Sequence, residues 1–317
     1  FLAVKNKYPD MVPLVLNPEP TWAKGYFANN FGAATGGFVK DENGRLVHAL
    51  RTENLLNMYL YMNDLYRNGI IKAETFAYQN EDQATSMATS GKAFAYAWTT
   101  AAADRLNAMT KDAGMRWDQF PIVLSNDFAH VRRDLGWQGV FITKNNKNPE
   151  ASIKLMRFLL SEEGQRLAMW GIEGEHWNWS EDGGYPVFTY DRNSDEVKNE
   201  MGVYWWGLLG GSAVTELLGN YIPGTIQTRS SQELMEHTTF EPDVGLVQPA
   251  PDSREQVMQT NIDNLIKNEE TKVLMATSEE EAREAYNTML KQAEKIGLTE
   301  LEAWANGKYA EVKKNFQ

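Results

Sequence analysis

The chain has 317 residues, 42% of them hydrophobic, and a formal net charge of −12. This length is enough for one or two domains with a buried core, and the acidic balance argues against nucleic acid or an anionic surface as partner. Cysteine is absent, which excludes disulfides, thiol catalysis and cysteine-ligated metal. There is also no run of about 18 apolar residues, so the sequence predicts no membrane-spanning helix.

The chain opens with FLAVKNKYP, which contains no initiator methionine, basic leader or signal-peptide core. This stretch is typical of the end of a helix, so we expect the chain to begin inside a larger protein. Residues 12–16 predict a short apolar strand. The next six residues, NPEPTW, predict a loop in which two prolines hold Glu19 and Trp22 in place. A simple turn with a packed Trp22 is an equally good interpretation, because aromatic side chains are mostly packing residues.

Residues 38–40 and 45–47 flank the sequence DENG, in which Asn-Gly predicts a hairpin. The same letters resemble the start of a calcium loop, but the later ligands are missing, which favours a plain turn. Thr52 is the predicted cap of a helix that Gly69 closes, and residues 81–89 predict a short second helix.

Residues 91–98, GKAFAYAW, alternate small and aromatic side chains. Strand geometry places Phe94, Tyr96 and Trp98 on one face. We expect Phe94 and Tyr96 to lie in the core and Trp98 to end the strand at the mouth of a loop. Residues 101–109 then predict a helix and residues 120–124 another strand.

The segment 136–179 predicts a strand, two helices and a loop. Residues 140–143 are β-branched and aromatic, which favours a buried strand. Asn148 and Pro149 predict the start of a helix, Ser161 restarts a second one, and Gly171 is placed to end it in a left-handed conformation. Later helices are indicated by four capping boxes, which start at Ser230, Ser253, Ser278 and Thr299.

The loop after Gly171 holds Glu173, Glu175, His176 and Trp177. A glycosidase needs two carboxyl groups about 5–9.5 Å apart across a sugar ring, which two residues of one flexible loop seldom provide. A metal site lacks a visible fourth ligand. A structural helix end with solvated acids, or a cleft rim lined by the imidazole and indole, fits better. Because no nucleophile elbow, phosphate loop or zinc-helix motif occurs, we predict no catalytic residue, metal or cofactor.

The stretch KNPEASIKLMRFLLSEEGQRLAMWGIEGEHW resembles a segment of the extracellular solute-binding proteins of ABC sugar importers, of the maltose-binding type. Its GIEGEHW end is most similar to the Gram-positive lipoprotein branch. LVLNPEPTW is similar to a strand and Glu-Pro-aromatic loop that the family uses against sugar rings, and SGKAFAYAW resembles a strand that ends in a sugar-stacking Trp. GWQGVFITKNNKNPEAS is similar to the segment that crosses back to the first lobe.

The resemblance implies an α/β, two-lobed periplasmic-binding-protein-like fold of type II, with much of lobe one absent from this chain. Residues 1–126 and 175–317 would form lobe two, and residues 127–174 the remaining part of lobe one. The chain would cross at residues 126–133 and return at 171–175, which places the strand 140–143 in a different sheet from residues 93–98.

The function implied is capture of an oligosaccharide or sugar derivative between hinged lobes, for import through ABC permease subunits and without catalysis. Position by position, the implied ligand contacts are Glu19, Trp22 and Trp98, with Trp137, His176 and Trp177 as weaker matches. The protein would be an extracellular lipoprotein, or periplasmic in a Gram-negative cell, and would touch the membrane only through a lipid anchor outside this chain. Two alternatives stay open, a carbohydrate-active enzyme and a surface carbohydrate-binding or sensor module.

The resemblance begins halfway along the relative, so it also implies a missing N-terminal segment as a partner. The helix over residues 149–160 has apolar side chains on two faces, and we expect the missing segment to cover them. Without that segment we expect poor stability and weak sugar binding.

Overall fold

A computed structural model describes residues 1–17, 20–78, 80–125, 127–133, 140–192 and 218–316, with the side chains of residues 20–23 and 316 left out of the description. The chain forms two compact units. Unit 1 comprises Phe1–Thr99, Pro121–Asp134 and Leu234–Gln317, and unit 2 comprises Thr100–Phe120 and Leu135–Glu233. The chain passes between these units at residues 99–100, 120–121, 134–135 and 233–234. The division into lobes at residues 126–133 and 171–175 stays a prediction.

Helices account for most of the regular structure. In chain order they are α1 (Leu2–Lys7), α2 (Pro20–Asn29), α3 (Glu53–Arg67), α4 (Glu81–Thr89), α5 (Ala102–Met109), α6 (Pro149–Leu159), α7 (Glu162–Trp170), α8 (Ile226–Glu236), α9 (Pro242–Gly245), α10 (Arg254–Leu274), α11 (Glu279–Ile296) and α12 (Leu298–Val312). Short 3-10 helices span Ala49–Arg51, Ala73–Ala77, Lys111–Ala113 and Lys313–Phe316. No helix in the described part of the chain is both long and apolar enough to cross a bilayer.

The strands of the described residues pair two by two. They are β1 (Val12–Leu16), β2 (Phe38–Lys40), β3 (Leu46–His48), β4 (Ala93–Ala97), β5 (His130–Arg132), β6 (Trp177–Trp179), β7 (Pro186–Phe188) and β8 (Thr238–Phe240). β1 pairs with β4 and β5 with β8 in parallel, whereas β2–β3 and β6–β7 are antiparallel. The predicted strand at 12–16 and the hairpin are therefore confirmed. In the hairpin, Asp41 Oδ1 accepts the N–H groups of Asn43 and Arg45 at 2.9 and 2.8 Å, so this sequence is a turn.

Most of the predicted helix starts are also correct. The side-chain oxygens of Thr52, Asn148, Ser161, Ser253 and Ser278 each accept the N–H of the residue three positions later. This geometry satisfies one of the free donors at a helix start.

Two of the predicted caps are wrong. Ser230 lies inside α8, and Thr299 lies one residue inside α12, whose cap is Gly297. A capping-box spacing that occurs within a helix is satisfied by the helix itself, so the motif alone does not mark a start.

The core of unit 1 forms where α3 packs against α10 and α11, with α12 and the β2–β3 hairpin beside them. β1 is buried along its whole length. β4 buries Ala93 and Ala97 and leaves Phe94 52% exposed. The expectation that Phe94 lies in the core is therefore wrong. Tyr96, on the same strand, packs against a small core cluster that includes Val15 and Ala84.

Two predicted strands do not form. Residues 120–124 and 140–143 are all described, and neither stretch makes a ladder. Phe141 is 86% exposed. Helix α6, all of whose residues are described, buries none of them, and Leu155 is 58% exposed. Residues 140–143 lie in unit 2 and β4 in unit 1, and residues 140–143 belong to no strand, so the predicted second sheet does not form there.

Candidate functional site

The carboxyl ends of β1 and β4 form a common edge in unit 1. Because the two strands are parallel, the residues that follow them meet there, and such edges are where ligands bind in open α/β sheets. Asn17, the residue after β1, is buried and donates its N–H to Ala97 O at 3.2 Å. Trp98 is the residue after β4 and is half-buried. The predicted strand end at Trp98 is therefore correct.

Three aromatic side chains gather near this edge. The ring centroids of Tyr96 and Trp98 are 5.5 Å apart, with their planes tilted by 30°. Thr85 Oγ1 of α4 lies 3.5 Å from the hydroxyl of Tyr96. Burial, with a smaller contribution from Tyr96, raises the pKa of Tyr26 on α2 to about 12, so this phenol keeps its proton. The edge thus offers neutral aromatic faces and hydroxyl groups.

The predicted proline-rich loop is shorter than expected. α2 already begins at Pro20, three residues after Asn17, with proline at a position where its missing N–H is no loss. Trp22 is therefore on a helix, and its side chain lies outside the description. Glu19 and Trp137 fall outside the described residues. Of the predicted ligand contacts in unit 1, the structure thus locates the ring of Trp98.

Sequence reasoning overlooked Tyr26. The sequence feature that could have indicated it is the spacing of four residues from Trp22 to Tyr26, because residues four apart in a helix lie on the same face. Tyr96 was expected in the core, and the structure places it half-buried, packed against a small core cluster that includes Val15 and Ala84, and beside Trp98. Both phenols add to the aromatic character of the edge.

The loop after α7, in unit 2, is ordered by its own hydrogen bonds. His176 Nδ1 accepts the N–H of Ile172 at 3.0 Å, which leaves Nε2 to carry the proton of the neutral ring, 3.6 Å from Glu175 Oε1. Gly171 has a φ of +89°, and an added Cβ would lie 2.7 Å from His176 Nδ1. The tight turn therefore depends on glycine, as predicted.

Trp177 lies in the core of unit 2. It is 1% exposed, its indole N–H donates to Gly171 O at 3.1 Å, and its ring meets Trp170 edge-on at 4.7 Å. Trp179 and Phe188 pack against the same cluster. The structure therefore gives Trp177 a packing role and leaves no face of its ring open to a ligand, whereas His176 keeps a partly exposed edge.

The described residues contain no group of three His, Cys, Asp or Glu side chains placed to hold a metal ion. An open cavity of about 460 Å³ in unit 1 is lined by residues including Tyr66, Arg67, Lys72, Glu74 and Thr277. It adjoins the ends of α3 and α10 and includes none of the predicted contacts. The concentration of aromatic groups at the β1–β4 edge is therefore the better candidate for recognition of an uncharged, flat-faced ligand.

No family model and no curated protein matches this chain. Solved structures do. The alginate-binding protein AlgQ2, solved without calcium ion, matches with a TM-score of 0.66 and 17% identity over 98% of this chain and 66% of its own. A solute-binding protein from Bifidobacterium longum infantis, associated with an ABC transporter and binding human milk oligosaccharides (HMO), has a TM-score of 0.65 and 17% identity over 98% of this chain and 68% of its own.

The N-glycan transport solute-binding protein NgtS from Streptococcus pneumoniae, in complex with Man1GlcNAc, has a TM-score of 0.60 and 16% identity over 98% of this chain and 66% of its own. These likenesses confirm the predicted α/β fold of solute-binding proteins. This chain spans about two thirds of the length of each of the three structures. All three are named as binding or transport proteins, and none as an enzyme.

Proposed function

We propose that this chain is part of the extracellular substrate-binding component of an ABC importer that captures an oligosaccharide or a sugar derivative. The observation that carries the proposal is the fold, which the chain shares over 98% of its residues with three proteins named for binding or transporting carbohydrate. The aromatic edge of unit 1 supports it, because sugar rings present apolar C–H faces that stack on flat aromatic rings.

The proposed contacts are residues that the resemblance to sugar-binding proteins implies. Trp98 stacks on a sugar ring, Trp22 on the adjoining helix does the same, and the carboxylate of Glu19 accepts hydroxyl hydrogen bonds. Trp137 and His176 are proposed as further contacts. We leave Trp177 out of the ligand set because its indole is buried and already hydrogen-bonded.

We further propose that the protein is a cell-surface lipoprotein of a Gram-positive bacterium, delivers its ligand to permease subunits, and includes an N-terminal segment that covers α6. Supporting this, α6 buries none of its residues, and Ile153, Leu155 and Phe141 are all exposed in unit 2. Each such side chain left in water forgoes roughly 1.5–3 kcal/mol of stabilisation, so a covering partner would be strongly favoured.

The binding proposal is tested by calorimetry with three probes taken from the chemistry of the fold's neighbours: an alginate oligosaccharide, a human milk oligosaccharide and Man1GlcNAc. We expect one of them to bind and to be recovered intact, as judged by mass spectrometry. Conversion of a probe into smaller sugars would instead support the enzyme alternative. Failure of all three to bind, with or without an N-terminal segment, would reject the proposal.

The covering segment has a separate test, because the chain contains no cysteine to interfere with thiol labelling. Leu155→Cys on α6, a position that is 58% exposed, should react quickly in the 317-residue chain and slowly once the N-terminal segment of the same protein is added. Val187→Cys, a similarly apolar and exposed position on β7, is the matched control and should react at the same rate in both. Equal protection of both sites, or of neither, would contradict the proposed covering.

A further inference from the structure

Three polar side chains meet inside the core of unit 1. Lys24 of α2 forms an ion pair with Glu270 of α10. Tyr59 of α3 donates its hydroxyl to the same carboxylate oxygen at 3.0 Å. Lys24 is 8% exposed, Glu270 is 6% exposed, and Tyr59 is fully buried. One oxygen atom therefore joins three helices, in a place that apolar side chains could have filled.

Stability does not explain this arrangement. Taking two charges out of water is expensive, and replacing a buried ion pair by apolar residues of similar size is often neutral or stabilising. Breaking such a pair by removing one partner is strongly destabilising, because the other charge stays buried and unpaired. What an ion pair adds over apolar contacts is direction, since a lysine ammonium and a carboxylate oxygen must meet at one place.

Direction matters for α2 because of what this helix carries. It starts at Pro20, three residues after Asn17 at the β1–β4 edge, and it carries Trp22 and Tyr26 on either side of Lys24. Further along α2, Phe27 and Ala28 are buried in the core, and Asn29 Oδ1 accepts the N–H of Val131 at 3.2 Å at the far end of the helix. Apolar cores accept alternative packings and lose uniqueness before they lose stability. Lys24 is the first side chain of α2 that the structure describes, so its ion pair holds the helix near the end that meets the edge.

We propose that Lys24 and Glu270 are positioning residues for ligand binding. Together with Tyr59 they fix the rotation and register of α2, and so place the side chains of α2 against Tyr96 and Trp98 at the edge. Being buried, neither member of the pair touches the ligand. The expected effect on ligand affinity rests on the proposed binding function, whereas the positioning of α2 does not depend on it.

The test compares the wild-type chain with the double variant Lys24→Met/Glu270→Leu, in which both charges become apolar. A control variant, Ile262→Val, trims a buried side chain on the same helix, α10, and leaves Lys24, Tyr59 and Glu270 unchanged. For each protein we measure urea unfolding, hydrogen exchange of the α2 amides, and affinity for the alginate oligosaccharide, the human milk oligosaccharide and Man1GlcNAc.

Because the double variant leaves the buried Tyr59 hydroxyl without its acceptor, we expect it to unfold at a lower urea concentration than the wild type. We also expect its α2 amides to exchange faster, by more than any change in Ile262→Val. The affinity of the double variant for the probe that the wild type binds should fall about tenfold, the equivalent of about 1.4 kcal/mol. Ile262→Val should lower the unfolding midpoint and leave affinity unchanged. A double variant with wild-type exchange and wild-type affinity would overturn the inference.

Two other outcomes also decide the matter. If the wild type binds none of the probes, the proposed function fails, while the exchange of α2 still tests the positioning role. If the double variant does not fold, Tyr59→Phe removes just the hydroxyl that α3 contributes. It should then speed exchange in α2 more than in α3, the helix that carries the substitution. Faster exchange confined to α3 would contradict the positioning role.

Discussion

His48, at the end of β3, makes the stability of unit 1 depend on pH. Its imidazole is fully buried, Nδ1 accepts the N–H of Leu50 at 3.2 Å, and Nε2 has no partner among the described residues. The ring of Phe38 meets it edge-on at 5.7 Å. Burial, and next the positive charge of Arg51, lowers the pKa of His48 from 6.5 to about 4. The folded protein therefore holds this ring neutral.

The direction in which stability changes with pH follows from the difference in the pKa of His48 between the folded and unfolded chains. The unfolded chain binds a proton at His48 below pH 6.5, whereas the folded chain resists doing so until about pH 4. Stability is therefore fully present above pH 6.5, falls as the pH drops below it, and levels off below about pH 4. The whole difference amounts to roughly 3 kcal/mol, and about 2 kcal/mol of it should be lost by a pH of about 4.5.

The perturbation is His48→Asn, because the Asn carbonyl oxygen can accept the N–H of Leu50 in place of Nδ1 and does not titrate. Urea unfolding, followed by circular dichroism at neutral and at acid pH, gives the free energy of unfolding of both proteins. We expect the wild type to lose about 2 kcal/mol more than the variant over this interval. His176→Asn, in unit 2, controls for the loss of one histidine.

Parallel pH profiles for wild type and His48→Asn would refute the reasoning. A larger loss in the variant than in the wild type would also refute it. Other groups titrate in the same range, including His130, whose pKa burial also lowers. Their contributions are common to both proteins, so the difference between the profiles isolates His48.

Two further predictions separate binding from packing. Trp98→Ala should weaken binding of the recognised probe by about 1–3 kcal/mol in calorimetry and leave the unfolding midpoint nearly unchanged. Trp177→Ala should instead destabilise unit 2 by about 3–5 kcal/mol in urea unfolding, and the reverse pattern would exchange the two assignments. Gly171→Ala should lower the melting temperature more than Gly174→Ala, because both have positive φ but an added Cβ strikes His176 at the first and meets open space at the second. Equal shifts would show that φ alone matters.

Much of the local structure could be predicted from sequence because its causes are local. Thr52, Asn148 and Ser161 cap helices through hydrogen bonds that span three residues, so the required groups are adjacent in the chain. The turn at Asp41 is equally local, with one carboxylate oxygen accepting two nearby N–H groups. Ser230 shows the limit of this reasoning, because the capping spacing also occurs where a helix is already under way.

Whether residues 120–124 and 140–143 form strands could not be predicted from such local causes. A β-branched or aromatic run favours a strand when a partner strand and a covering layer are present, and both are non-local. β1 finds its partner 81 positions along, with Val12 opposite Ala93. Residues 140–143 find none among the described residues, so the same type of sequence stays unpaired and Phe141 remains in water.

The contrast between Trp98 and Trp177 explains why the candidate site could be predicted only in part. Both were placed beside loops by sequence, and loop aromatics serve packing and recognition equally well. The two residues differ in the groups that the fold places around each ring. Trp177 finds Trp170 across the turn and a carbonyl acceptor at Gly171, so its ring and its N–H are both satisfied inside unit 2. Trp98 ends a strand at a parallel edge and keeps part of its ring in solvent. With ten tryptophans in the chain, residue type therefore says little about ligand contact, and position at the carboxyl edge of paired strands says more.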